Sequence, residues 1–187
     1  MCATWQTPAP IDLRSAAHHR RLHESAVWGA VMAIPVARLN HAVLFVRDLA
    51  RAAAFYREAF GFEEIEGIPG RMAFLRARGS QNHHDLGLAA VGPNAPRPPR
   101  GSTGLYHLAW EVPEITDLAA AREVLARLGA LTGESDHGAT KSLYGADPDG
   151  NEFEIMWMVP RDQWGEFDQK AVVLPLDMEG EVARWGS

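Results

Sequence analysis

The chain is poor in cysteine, in basic runs and in long apolar runs, and each shortage excludes a class of function. Its one cysteine, Cys2, allows neither a disulfide within the chain nor a thiolate metal site. That usage suits a reducing compartment, and a cytoplasmic protein is expected. Acidic side chains outnumber basic ones by 24 to 18, the net charge is -6, and no basic run interrupts the domain. Nucleic acid is therefore not an expected partner. The apolar stretch 26–37 follows Arg20 and Arg21, as in a signal peptide, but it leaves no spacer before the first strand and is too short to span a bilayer. No membrane association is expected. Residues 1–35 read as a poorly ordered extension carrying His18, His19 and His23 on its surface, with Met32 the expected natural start. What remains is one globular domain over residues 36–160, in a chain of 187 residues that is 47% hydrophobic and 22% charged, followed by a tail over 161–187.

What is present is an internal repeat. Leu39-Asn40-His41-Ala42-Val43-Leu44-Phe45-Val46 has a counterpart 66 residues later in Leu105-Tyr106-His107-Leu108-Ala109-Trp110-Glu111-Val112. Each is an apolar strand with histidine at its third position, and each leads into a helix. The first helix is expected over Leu49 to Phe60, between Asp48 and Gly61. The second is expected over Asp117 to Leu128, ending at Gly129. Three strands follow each helix: Phe62 to Glu66, Arg71 to Ala77 and Asp85 to Val91, then Leu131 to Glu134, Lys141 to Gly145 and Asn151 to Trp157. The order is βαβββ twice, with module one over 38–91, a proline-rich linker over 92–103 and module two over 104–158. The fold class is α+β, the two modules forming a curved, barrel-like mixed sheet around a cavity.

Alternation puts His41, Val43 and Phe45 on one face of the first strand and Ala42, Leu44 and Val46 on the other. Both faces are apolar, so one is expected under the helix and the other against a second buried surface. A single strand histidine is commonly a core residue with a hydrogen bond. Two at equivalent repeat positions point instead to a shared site. The turn Asp147-Pro148-Asp149-Gly150 feeds a strand in which Glu154 lies between Phe153 and Ile155. A carboxylate there is costly to bury without a compensating cation. Glu152, nearer the turn, is expected in solvent.

These features resemble the vicinal-oxygen-chelate superfamily, which includes glyoxalase I, bleomycin- and fosfomycin-resistance proteins and type I extradiol dioxygenases. The resemblance rests on the paired modules, the strand histidines and the Asp-Pro-Asp-Gly-x-x-x-Glu ending, and covers about residues 36–160. It implies one divalent metal held by His41, His107 and Glu154. A glyoxalase-like site would need a fourth ligand near Leu86 to Leu88, where the sequence reads Leu-Gly-Leu. Three ligands suit non-haem Fe(II) with open positions, or alternatively Mn(II). Asn82-His83-His84-Asp85-Leu86 is similar to the dioxygenase segment with an acid–base histidine, which implies that role for His84, with His83 facing solvent. Tyr144, ten residues before Glu154, matches a substrate-binding tyrosine. His137 resembles a second pocket histidine, though closer to the tyrosine than is usual.

The implied activity is extradiol cleavage of a catechol-like aromatic with O₂. The familiar extradiol enzymes carry four modules, whereas this chain has two. The rivals are another metal-dependent reaction of the superfamily, glyoxalase-like or fosfomycin-resistance-like, and a drug-binding module of the bleomycin-resistance kind. Trp164, Phe167 and Trp185 in the tail, with a short helix within Leu174 to Trp185, are expected to cover the cavity mouth or to make a contact in a homodimer.

Overall fold

The computed structural model describes residues 34–99 and 101–186. The chain divides into two units, residues 1–37 and 38–187. Of the first, only residues 34–37 are described, and they are irregular and exposed. The expected extension, its histidines and the Met32 start therefore fall outside the described residues. All that follows concerns the second unit.

Each module folds as the repeat demands. In the first, β1 (Ala42–Val46), α1 (Leu49–Phe60), β2 (Glu63–Ile68), β3 (Met72–Arg76) and β4 (Leu86–Ala90) follow one another. In the second, the order is β5 (Leu108–Glu111), α2 (Ile115–Arg127), β6 (Leu131–Asp136), β7 (Thr140–Ala146) and β8 (Glu152–Met158). Helix α1 has the expected ends: the Asp48 side chain accepts from the Arg51 amide, and Gly61 closes it at φ +65°, in the left-handed region. Helix α2 begins two residues earlier than the sequence suggested, because Asp117 is not its entry. Glu114 is the cap, and Asp117 reaches back to the Glu114 amide in a reciprocal capping box.

The two sheets have the same order, β1-β4-β3-β2 and β5-β8-β7-β6. In each the first strand runs parallel to the last, and the other pairs are antiparallel. They remain two four-stranded mixed sheets; the described strands form no closed barrel. The strands that close the modules sit centrally, so Glu154 on β8 is flanked by Ala109 of β5 and Tyr144 of β7.

Two apolar clusters meet at one seam. The first gathers Leu44, Val46, Tyr56, Leu75, Leu86 and Leu88 between sheet one and α1; the second gathers Leu118, Leu125, Leu143, Phe153 and Ile155 beneath α2. Phe55 and Phe60 of α1 pack edge-on and tilted against Phe153 of β8, and Phe60 and Phe62 against Trp110 of β5. Polar bonds lock the same seam. Arg47 pairs with Asp149 at 2.8 Å, and Tyr56 Oη donates to the buried Asp147 at 3.2 Å. The modules are therefore held in one relative orientation by buried contacts.

The face of β1 carrying His41, Val43 and Phe45 departs from expectation. It meets no second buried surface within the described residues: Val43 is 49% and Phe45 72% exposed. The tail packs on the second module. After two 3-10 turns, at Arg161–Gln163 and Gly165–Asp168, Leu174 bridges Asp136 at the edge of β6, and α3 (Met178–Trp185) packs beside α2 in the second core. The buried ammonium of Lys141 fixes it there, facing Asp136 at 2.6 Å and Glu181 of α3 at 3.3 Å. Among the described residues no helix is long and apolar enough to cross a membrane.

Candidate metal centre

Both strand histidines sit one step earlier than their sequences suggest. His41 immediately precedes β1 and His107 immediately precedes β5. His107 Nε2 lies 3.1 Å from Glu154 Oε2, and both side chains are shielded, at 26% and 13% exposure. The other ring nitrogen, Nδ1, is buried and has no hydrogen-bond partner. Two donors of this type converging at the rim of a sheet fit a divalent cation, since a neutral imidazole and a carboxylate are its common ligands. Glu152 is exposed, as expected of a residue at the turn, while Phe153, Ile155 and Trp157 point into the core.

Tyr144 and His137 stand beside this pair. Tyr144 faces Glu154 across the β7–β8 ladder, and its ring lies 5.9 Å from that of His107. Burial, with Glu154 beside it, raises the Tyr144 phenol above its usual range. His137 Nε2 lies 2.7 Å from Tyr144 Oη, and its Nδ1 lies 2.8 Å from the Val172 carbonyl. A carbonyl only accepts, so Nδ1 carries a proton, which leaves Nε2 to accept from the phenol. The tail thus fixes the His137 tautomer through a backbone oxygen, a contact no side-chain pattern could reveal.

His41 belongs to a different cluster. It is exposed, and its ring packs at 4.5 Å on His84, which lies in turn 4.8 Å from Phe74. His41 Nδ1 meets Asn40 Oδ1 at 2.9 Å; Asn40 Nδ2 donates to Asn82 Oδ1 at 3.1 Å, and Asn82 Nδ2 donates to Asp85 at 2.7 Å. With its Nδ1 proton engaged, His41 presents a free Nε2 lone pair, the arrangement of a metal-binding histidine with an outer partner. Sequence reasoning missed Asn40 and Asn82. The one signal for Asn40 is its polar side chain within the apolar run around His41. Burial, then the neighbouring His41 and His83, lowers the His84 pKa. His83 is exposed and touches His84 Nδ1 at 3.0 Å. Burial works against the Asp85 carboxylate, but bonds from the Ala77 amide, Ser80 and Asn82 bring it below the usual range.

The candidate residues therefore form two groups, His107 with Glu154, Tyr144 and His137, and His41 with His84. Among the described residues no three His, Cys, Asp or Glu side chains converge tightly enough to hold a metal. A cleft of about 250 Å³ opens beside His41, between Arg38, Asn82, Asp85 and Leu108–Trp110. A larger cavity, about 520 Å³, lies between α2 and α3 among Ala119, Met178 and Val182, away from these groups.

Residues 38–155 match the family model described as Glyoxalase/Bleomycin resistance protein/Dioxygenase superfamily. The chain belongs to that superfamily. It is 35% identical over 152 residues to the catechol-2,3-dioxygenase of Bacillus subtilis (strain 168), a match covering 79% of this chain and 52% of the relative. It is 27% identical over 134 residues to the manganese-dependent 2,3-dihydroxybiphenyl 1,2-dioxygenase of Geobacillus genomosp. 3, covering 70% of this chain and 39% of that one. The chain thus matches about half or less of the length of these relatives. A glyoxalase/dioxygenase structure from Nostoc punctiforme superposes with a TM-score of 0.57 at 20% identity, over 69% of this chain and 97% of that one, a likeness of fold. Members of the superfamily share paired βαβββ modules, which is how this chain is built.

Proposed function

We propose that the chain is a divalent-metal-dependent extradiol dioxygenase that opens the ring of a catechol-like aromatic with O₂. The observation that carries this reading is the convergence of His107 Nε2 and Glu154 Oε2, 3.1 Å apart, with the Tyr144–His137 pair beside them. The names of the Bacillus relative, a catechol-2,3-dioxygenase, and of the Geobacillus relative, a manganese-dependent 2,3-dihydroxybiphenyl 1,2-dioxygenase, support it.

His107 and Glu154 would hold the metal, with His41, which lies in a separate group within the chain, the third donor that the resemblance implies, a set suited to Fe(II) or Mn(II). When bound, the metal supplies open positions at which the vicinal oxygens of the diol and O₂ come together. The protein's own residues do the rest. Asn40 holds the His41 tautomer. Tyr144 donates its hydrogen bond to His137, which leaves its oxygen to accept one from the substrate hydroxyl beside Glu154. His84 takes a proton from the diol and later returns it, since a histidine titrates near working pH.

The test is anaerobic purification with Fe(II), followed by oxygen uptake over a series of catechols. The reading expects uptake that chelators abolish, and tight metal binding lost in His107→Ala and Glu154→Ala with the fold kept. A protein that takes up neither Fe(II) nor Mn(II) under reducing conditions contradicts it and favours a metal-free binding module.

A further inference from the structure

We propose that Lys141 positions the candidate site from the far face of its sheet: by clamping the C-terminal tail onto module two, it holds the His137 ring that in turn holds Tyr144. The inference rests on the metal-site reading above and extends that site to the tail.

Three observations lead to it. First, one backbone oxygen decides which way the Tyr144 hydroxyl points. His137 lies in the turn between β6 and β7, its Nδ1 2.8 Å from the Val172 carbonyl and its Nε2 2.7 Å from Tyr144 Oη. While the carbonyl engages the Nδ1 proton of a neutral ring, Nε2 has only a lone pair to offer, and the phenol donates to it. Without the carbonyl, the ring's single proton is free to sit on Nε2. The phenol would then accept, and its own hydrogen would turn toward Glu154, its neighbour across the ladder. The two arrangements present opposite hydrogen-bonding groups to a substrate hydroxyl.

Second, the segment carrying that carbonyl is fastened on both sides, each time to a residue that flanks His137. Upstream, the Phe167 ring lies on Gly138, so closely that a Cβ there would come within 2.3 Å of it. Gly138 also stands at φ +76°, in the left-handed region, so both demands require glycine. Downstream, Leu174 and Asp136 exchange backbone hydrogen bonds of 2.8 and 2.9 Å. A shift of the tail therefore moves the Val172 oxygen relative to the ring.

Third, Lys141 ties this arrangement to α3. Its buried ammonium lies 2.6 Å from Asp136 Oδ1 and 3.3 Å from Glu181. The same Asp136 oxygen accepts from the Gly138 amide at 2.7 Å, so one carboxylate braces the His137 turn and anchors the clamp. Arg122 of α2 makes an outer tie between the same two elements, pairing with Glu134 of β6 at 2.7 Å and with Glu179 of α3 at 3.7 Å. Apolar side chains of like size often hold a helix as tightly as a buried ion pair does; what the pair adds here is one fixed register for the tail. Lys141 and Tyr144, three apart on β7, point to opposite faces of the sheet, so Lys141 acts on the site through Asp136 and the tail.

The experiment reads the His137 tautomer in the full chain by nitrogen NMR of the imidazole, the signal being assigned by its loss in His137→Gln. Lys141→Met removes the clamp. Glu181→Ala and Leu174→Pro release the tail from the clamp and from β6, and leave Lys141 paired with Asp136. Tyr56→Phe, at the module seam, is the control for lost stability. The wild type and the control are expected to hold the proton on Nδ1, and the three variants to show a mixture of both tautomers. Loaded with Fe(II), the variants are expected to keep the wild-type metal content yet turn over catechol roughly 10- to 100-fold more slowly. Lys141→Met leaves two carboxylates without their cation; should it fail to fold, the two tail variants decide. A wild-type tautomer in the folded tail variants, or unchanged turnover despite a shifted tautomer, overturns the positioning role and leaves the metal reading standing. A tautomer that shifts in the variants while the wild type cleaves no catechol supports the hold on His137 and overturns the dioxygenase reading instead.

Discussion

Asp147 opens the turn before Glu154, and its side chain is where the turn can be tested most sharply. It is buried, and its Oδ1 accepts from the Asp149 and Asn151 amides, both at 2.8 Å. Its Oδ2 accepts from Asn151 Nδ2 at 2.9 Å and from Tyr56 Oη of the other module at 3.2 Å. Asp147→Ala leaves four donors without this acceptor. A hydrogen bond to a charged group contributes about 1.5–3 kcal/mol, but such bonds in one network are not additive. Water entering the loop also satisfies part of what is lost. The expected destabilisation is therefore about 3–5 kcal/mol, the range of a broken buried network. For a domain of this size that lowers the melting temperature by roughly 6–20 °C. Tyr56→Phe removes one of the four bonds and is expected to cost about 1 kcal/mol. Urea denaturation followed by tryptophan fluorescence measures both. An Asp147→Ala loss under about 1 kcal/mol would refute the claim that this side chain organises the turn and the module seam.

Other substitutions probe the site and its supports. His84→Gln is expected to keep the metal and bind catechol, yet lose turnover by about 10²- to 10⁴-fold; loss of metal would instead make His84 a ligand. His137→Asn keeps a donor at the Nδ1 position for Val172 but loses Tyr144, whereas His137→Gln does the reverse. Steady-state kinetics should find the Gln variant the more active, and the opposite order would remove Tyr144 from the mechanism. Gly145→Ala would place a Cβ 2.4 Å from the Phe153 ring and 3.0 Å from the Ala130 carbonyl, and thermal melting is expected to reveal a loss of about 1–3 kcal/mol. The folded Asp85 carboxyl titrates below its unfolded value of about 3.9, so its contribution to stability is present above that pH and lost as pH falls through the lower folded value. Asp85→Asn should therefore flatten the acid limb of a stability-versus-pH curve, and an unchanged limb would contradict the assignment.

The repeat made the fold legible. Two strand–helix units with histidines at equivalent positions imply the βαβββ order, and Asp48 and Gly61 mark α1 to the residue because cap chemistry is local. Glu154 was legible from its apolar neighbours and the turn before it. The rest depends on contacts between distant segments. Nothing local indicates that Asp147 binds Tyr56, that Asn82 supports Asn40, or that a carbonyl in the tail fixes His137. The β1 face misled for a physical reason. Apolar alternation says that a surface is to be buried, but not by which chain, so Val43 and Phe45 read as interior while this chain leaves them exposed.

The central claim is that His107 and Glu154 hold a metal on which a catechol ring is opened. Oxygen consumption by the anaerobically Fe(II)-loaded protein tests it most directly, with catechol as substrate and the His107→Ala and Glu154→Ala variants alongside. The account expects O₂ to be consumed in step with catechol and its ring to be cleaved beside the diol, with both variants and the chelated wild type inactive. Ring cleavage that persists in either variant, or an Fe(II)-loaded wild type that leaves every catechol intact, would contradict it.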